Sequence, residues 1–247
     1  MYVFYFLNNL MQFCIQKKFS LRNAVPEDDP LWPYGTIPYK IHPHLGKFFN
    51  LKNFCIEPHR ESIVEAIDHF HEHTCIRFVE RTDEDDYLHL ISDEGLDIEI
   101  IKTQRRLINK IFRCYSSIGR TGGEQTLSLD YGCICKGTII HELMHTLGFY
   151  HEQNRSDRDK YIIVLYDRIN ATAKHEFNRL APDKNRLLSP YDYDSIMHYA
   201  SNAFSKDGRD TMIPRKEGVI LTHPCFKSKL SKFDIVKISK LYGCSFD

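Results

Sequence analysis

The chain carries no surplus of charge: 33 basic side chains balance 33 acidic ones. That balance removes any general attraction to nucleic acid or to an anionic membrane and leaves recognition to a local site. Beyond residue 22 it has no Gly/Ser linker, no internal repeat and no low-complexity tract, which predicts a single domain. It lacks any C-x-x-C unit, the usual spacing of a cysteine zinc site. It also lacks a long unbroken apolar run at its start. Met1–Leu7 is interrupted by Asn8 and Asn9 before Leu10–Ile15 resumes, with no positive charge in front, so it reads as a weak secretory signal and is too short to span a bilayer.

What is present is 247 residues with 42% hydrophobic content, enough for one sizeable core, which excludes disorder as the main state. Eight cysteines point to disulfides made in an oxidising compartment or to thiolate metal sites. The one close pair, Cys133 and Cys135, would face opposite ways on an extended segment, which favours disulfides.

Glu57–Glu72 places Ile63, Ile67 and Phe70 at helical spacing and predicts an amphipathic helix ending near Thr74. Cys75–Glu80 and Tyr87–Ile91 alternate apolar and polar residues across an acidic turn and read as neighbouring strands, with Thr126–Leu129 a third. Leu96–Arg113 mixes five basic residues with isoleucines and reads as a solvated basic surface helix or a membrane- or acid-binding stretch. The Tyr-, Pro- and Asp-rich stretch Arg179–Tyr199 predicts long irregular segments, and Lys232–Leu241 a terminal helix.

The chemistry concentrates at His141-Glu142-Leu143-Met144-His145, preceded by the apolar Ile139-Ile140 of a buried helix. Residues four apart lie about 40° from each other around a helix, so both imidazoles share one face. Glu142, roughly 100° round, can reach a water at that metal without ligating it, the placement of a general base. Gly148 can end the helix in a left-handed conformation and swing His151 toward the same centre. Three neutral imidazoles with an open position describe a catalytic zinc, and hence hydrolysis. The string H-E-x-x-H-x-x-G-x-x-H is the metzincin signature, and Ser195-Ile196-Met197-His198-Tyr199 supplies the methionine turn that signature requires downstream.

His141–Tyr161, reading HELMHTLGFYHEQNRSDRDKY, together with SIMHY at Ser195–Tyr199, Cys75–Val79 and Leu31–Tyr39, resembles the astacin family of zinc endopeptidases. The resemblance implies an α+β fold of two lobes: an N-terminal lobe with a twisted mixed sheet and two long helices, and a mostly irregular C-terminal lobe with a terminal helix. It implies one Zn2+ per chain held by His141, His145 and His151, with Glu142 as general base and proton donor. Met197 would floor the metal. Tyr199 would ligate zinc at rest and then hydrogen-bond the oxyanion. Glu152 would pair with the ammonium of a mature N-terminus at Asn23, residues 1–22 being a leader or propeptide remnant and 23–247 the catalytic domain. That leader contains no aspartate to plug the zinc, and Leu96–Arg113 becomes an insertion. Arg155, Asp157, Arg158 and Asp159 would form a structural ion-pair network.

The resemblance also implies disulfides Cys75–Cys244 and Cys114–Cys133. Once Cys14 leaves with the leader, Cys55, Cys135 and Cys225 remain, and we expect Cys55 to pair with Cys225, leaving Cys135 over. Substrates would be proteins or peptides bound by strand pairing. An acidic preference after the cut bond follows if Arg209, Arg215 or Lys227 points inward. No nucleic-acid partner, no membrane insertion, a secreted location and a monomer are expected. Asn154 and Asn170 head glycosylation sequons, the second more usable than the first. The rival readings are a secreted binding module that keeps the fold without hydrolysis and an intracellular zinc-stabilised protein with reduced thiols.

Overall fold

A computed structural model describes residues 24–26, 30–43, 45, 58–92 and 114–244. The expected insertion, Asn23 and Cys55 therefore lie outside the described residues. Strands β1 (Thr36–Ile41), β2 (Arg77–Glu80), β3 (Tyr87–Ile91), β4 (Cys114–Ser116) and β5 (Glu124–Leu129) form one sheet in the order β2-β1-β3-β5-β4. All neighbours run parallel except β4, which lies antiparallel to β5 and takes the sheet edge. The sheet is thus mixed, as expected.

Helix α1 (Pro58–His73) buries Ile63, Ala66, Ile67 and Phe70, the stripe at i, i+3, i+4 and i+7, while Val64 faces out. Thr74 stops it by returning its amide and hydroxyl to the Phe70 carbonyl. The strand after it begins at Arg77 rather than Cys75, because Cys75 leaves the extended run to bond Cys244. Helix α2 (Lys136–Thr146) is buried from Gly137 onward, so its apolar residues reach the core on several sides, and Ile139, Ile140, Leu143 and Met144 pack with α1, the sheet and Met197. The only tryptophan, Trp32, is buried against the end of α2 and donates its indole N–H to the Thr146 carbonyl at 3.0 Å.

The C-terminal part is mostly irregular, strung from short 3-10 turns around a second core of Ile162, Ile169, Phe177, Tyr191, Met212 and Leu221. Its two-stranded ribbon pairs β6 (Ile162–Val164) antiparallel with β7 (Met212–Pro214). The chain returns to the first core through α3 (Lys232–Tyr242), opened by a Ser231/Asp234 capping box and closed by Gly243 at φ 65°.

Three disulfides join the described residues. Cys75–Cys244 and Cys114–Cys133 are present. The third corrects the expected Cys55–Cys225 pair: Cys225 bonds Cys135 across a Cα–Cα distance of 5.3 Å. Local geometry explains it. Cys135 is the extended N-cap of α2, and Gly137, the second residue of the helix, has no side chain to hold off the Pro224–Lys227 backbone. A Cβ at Gly137 would lie 2.0 Å from the carbonyl oxygens of both Pro224 and Lys227.

Candidate active site

Helix α2 carries His141 and His145 on one face, and Gly148 at φ 104° turns the chain so that His151 returns to them. Their ligand atoms form the one His/Cys/Asp/Glu group among the described residues that could hold a metal ion, and no carboxylate belongs to it. His151 Nε2 stands 3.2 Å from His141 Nε2 and 3.1 Å from His145 Nε2. Imidazoles bound at about 2.0–2.1 Å to one tetrahedral zinc stand about 3.3 Å apart, so the spacing fits that ion.

The hydrogen bonds behind the rings fix the tautomers. His141 Nδ1–H donates to the Ile196 carbonyl at 2.8 Å and His145 Nδ1–H to the Phe149 carbonyl at 2.7 Å. Their Nε2 lone pairs are left facing His151, an arrangement that a shared cation resolves. Burial pushes all three rings below the usual imidazole range, His145 to about 4, and so keeps them in the neutral form that ligates.

Glu142 is buried beside His141, and Tyr199 lies with its ring centroid 4.2 Å from that of His151. Phe177 and Phe204 hold the other sides of the Tyr199 ring at 6.2 and 5.5 Å, and its amide donates to Gln153 Oε1. Met197 is buried in the core with α2, and its carbonyl accepts from the Glu152 amide at 3.0 Å, which ties the methionine turn to the residue after His151. The sheet edge comes close to this centre: Ser116 of β4 hydrogen-bonds Thr146, and the Gly119 amide donates to the His145 carbonyl.

Glu152 is fully buried. Its Oε1 accepts from Arg155 and from the Asp192 amide, and its Oε2 from Lys237 at 2.9 Å. Burial alone would raise this carboxyl, but Lys237 and Arg155 hold it at about 2. The sequence reading missed Lys237 and Asp234 altogether. Asp234 accepts from Ser195 Oγ at 2.6 Å and from the Ile196 amide at 2.8 Å, so the capping residue of α3 also fixes the turn that receives His141. The spacing Ser231-x-x-Asp234 signals the cap, but nothing local signals the partner across the fold.

Arg155 forks onto Asp157 and also reaches the Ser189 and Pro190 carbonyls, while Arg158 reaches Gln153 and Phe177 carbonyls. Of the three cations considered for substrate, Arg209 is engaged by Asp207, Arg215 by the Asp159 carbonyl, and Lys227 by the Ser195 carbonyl at 2.7 Å, next to the methionine turn.

The model of the peptidase family Astacin matches residues 24–243. The chain belongs to the astacin family. It is 40% identical over 230 residues to astacin-like metalloprotease toxin 1 of Loxosceles intermedia, covering 92% of this chain and 76% of that one. It is 39% identical over 226 residues to zinc metalloproteinase nas-7 of Caenorhabditis elegans, covering 90% of this chain but 51% of that one. Among solved structures, high choriolytic enzyme 1, a hatching enzyme zinc-protease from Oryzias latipes, superposes with a TM-score of 0.68 at 36% identity, covering 87% of this chain and 94% of that one. This astacin is therefore a zinc metalloprotease with a two-lobed metzincin fold, and zinc is its metal.

Proposed function

We propose that the protein is a secreted endopeptidase that cuts internal bonds of extended polypeptides, with Glu142 moving the proton and Tyr199 stabilising the oxyanion. The observation that carries this reading is the convergence of three Nε2 atoms within 3.1–3.2 Å contacts beside a buried glutamate and a tyrosine ring. Zinc bound there supplies Lewis acidity, activating water and polarising the scissile carbonyl. Glu142 takes the proton from the attacking water and delivers it to the leaving amine. The Tyr199 phenol donates to the oxygen that becomes negative. Met197 floors the metal from the core it shares with α2, and an extended substrate pairs along β4, the edge strand of the described sheet.

Lys227, held at the Ser195 carbonyl, favours an acidic residue just after the cut bond. Secretion is supported by the three disulfides. Residues 1–22 are a leader removed to expose Asn23, whose neighbour Ala24 is buried in a bridge with Phe149. Glycosylation falls on the exposed Asn170, whereas Asn154 is 1% exposed with its amide donated to the Glu176 and Asn178 carbonyls.

The test is metal analysis and casein cleavage, with and without a chelator, on chain starting at Asn23. One zinc per chain and chelator-sensitive cleavage are expected. Glu142→Gln is expected to keep the metal and lose about 10²–10⁴-fold in turnover, and His145→Ala to lose metal and activity together. Cleavage at the parent rate by Glu142→Gln would remove that residue from its role.

A further inference from the structure

A second concavity lies on the C-terminal lobe, away from the three histidines. A cavity of about 440 Å³ opens between β6 and the turn Arg158–Lys160, with Arg158, Arg179 and Arg215 on its walls and Asp159 the only acid among them. Asp159 touches all three: its carboxylate accepts from Arg158 at 2.8 Å and Arg179 at 2.6 Å, and its carbonyl from Arg215 at 2.9 Å. Three guanidinium groups against one carboxylate leave a formal surplus of two positive charges in one hollow.

The three arginines are not equivalent. Arg158 is 4% exposed, and its terminal nitrogens are committed to the Gln153 and Phe177 carbonyls and the Tyr166 hydroxyl, so it serves as a fixed wall. Arg179 and Arg215 are exposed, and each side chain makes one hydrogen bond among the described residues, so most of their guanidinium donors remain open in the lining of the hollow.

The remaining wall is apolar, made of Ile162, Ile163, Val164 and Tyr166, of which Ile162 is buried in the second core. The ribbon register adds a direction. Arg215 N–H donates to the Tyr161 carbonyl and Leu165 N–H to the Thr211 carbonyl, so odd-numbered residues of this stretch bond toward β7. By the period-two alternation, Val164 turns its backbone groups the other way, where no strand pairs with β6 among the described residues.

We propose that this hollow is an exosite for an extended acidic peptide segment of a protein substrate. The acidic side chain would take the open donors of Arg179 and Arg215, whose planar forks suit a carboxylate. Apolar residues two positions away on the same face of the extended segment would cover Val164 and Tyr166, with the backbone along the open edge of β6. The back of the hollow is one layer from the catalytic tyrosine: Arg158 holds the carbonyls of Gln153 and Phe177, and those two residues contact Tyr199. Binding at the hollow is independent of the metal centre, whereas its use in substrate capture rests on the endopeptidase reading.

The experiment measures fluorescence anisotropy of a dye-labelled peptide of Glu-Ser-Val-Ser repeats, which places Glu and Val on one face of the extended chain, and of its Gln/Val counterpart, on the full chain carrying Glu142→Gln so that nothing is cut. The acidic peptide is expected to bind, to weaken at least tenfold when Arg179→Glu and Arg215→Glu are added, and to weaken with salt, while the Gln/Val peptide does not bind. Absent binding, equal binding of the two peptides, or binding indifferent to the two arginine substitutions would overturn the site. With Glu142 intact, Arg179→Gln plus Arg215→Gln is expected to raise KM for an acidic protein substrate several-fold and leave kcat/KM on a short uncharged peptide unchanged. An unchanged KM, or equal losses on both substrates, would overturn the capture role. Failure of every chain to cleave anything would sink the endopeptidase reading while the anisotropy result still decides the site.

Discussion

Lys237 holds together the most charge-dense part of the interior. Its ammonium meets Glu152 at 2.9 Å and Asp234 at 3.1 Å, and all three groups are removed from water. Burial would lower this lysine, yet Glu152, Asp234 and Asp192 raise it well above the usual range, so the cluster is a mutual compensation. Lys237→Met leaves two carboxylates short of a partner and is expected to cost about 3–5 kcal/mol in denaturant unfolding. His69 is one of the buried histidines that make stability depend on pH. Its Nε2 accepts from the Leu230 amide at 2.9 Å, and burial, with the charges of His73, Lys136 and Lys229, lowers it to about 4. The unfolded chain takes up this proton near 6.5 and the folded one near 4, so stability is full above pH 6.5 and falls between the two values. Unfolding midpoints against pH are expected to show that slope, reduced in His69→Gln by the share of this one ring. The zinc triad was readable because a helix converts a spacing of four into one face. The Glu152–Lys237 pair was not, since 85 residues separate its members and only the fold brings them together.

At the scale of elements, the helices followed from their periodicity because each had a stripe to bury. The C-terminal irregular stretch followed from its composition, since its backbone is satisfied by turns and side chains instead of ladders. The one element whose environment could not be read was the start of α2. Its second residue is a glycine for a reason that sits in another segment: two carbonyl oxygens of the Pro224–Lys227 loop press against it. Gly137→Ala, which favours a helix in isolation, is expected to destabilise this protein by at least 1–3 kcal/mol, because backbone on both sides must move. Comparing helix stability in an excised peptide with unfolding of the whole chain separates the two effects, and a stabilised protein would refute the contact.

At the scale of the molecule, two disulfides anchor the C-terminal segment to earlier parts of the chain: Cys135–Cys225 at the head of the zinc-binding helix and Cys75–Cys244 at the end of α3. The expected partner of Cys225 was wrong because spacing cannot rank pairings among three leftover thiols, whereas packing of the 224–226 turn on α2 can. Replacing Cys135 and Cys225 by serine is expected to cost about 2–4 kcal/mol, measured by denaturant unfolding under non-reducing conditions. The long exposed loops between these two cysteines include Lys206–Asp210 and Arg215–Gly218. A protease works among its own copies, and its surface loops are the first targets of stray hydrolysis. Because the 135–225 span is a closed covalent ring, a single nick in it releases no fragment: the molecule migrates intact without reductant and falls into two pieces only once thiol is added.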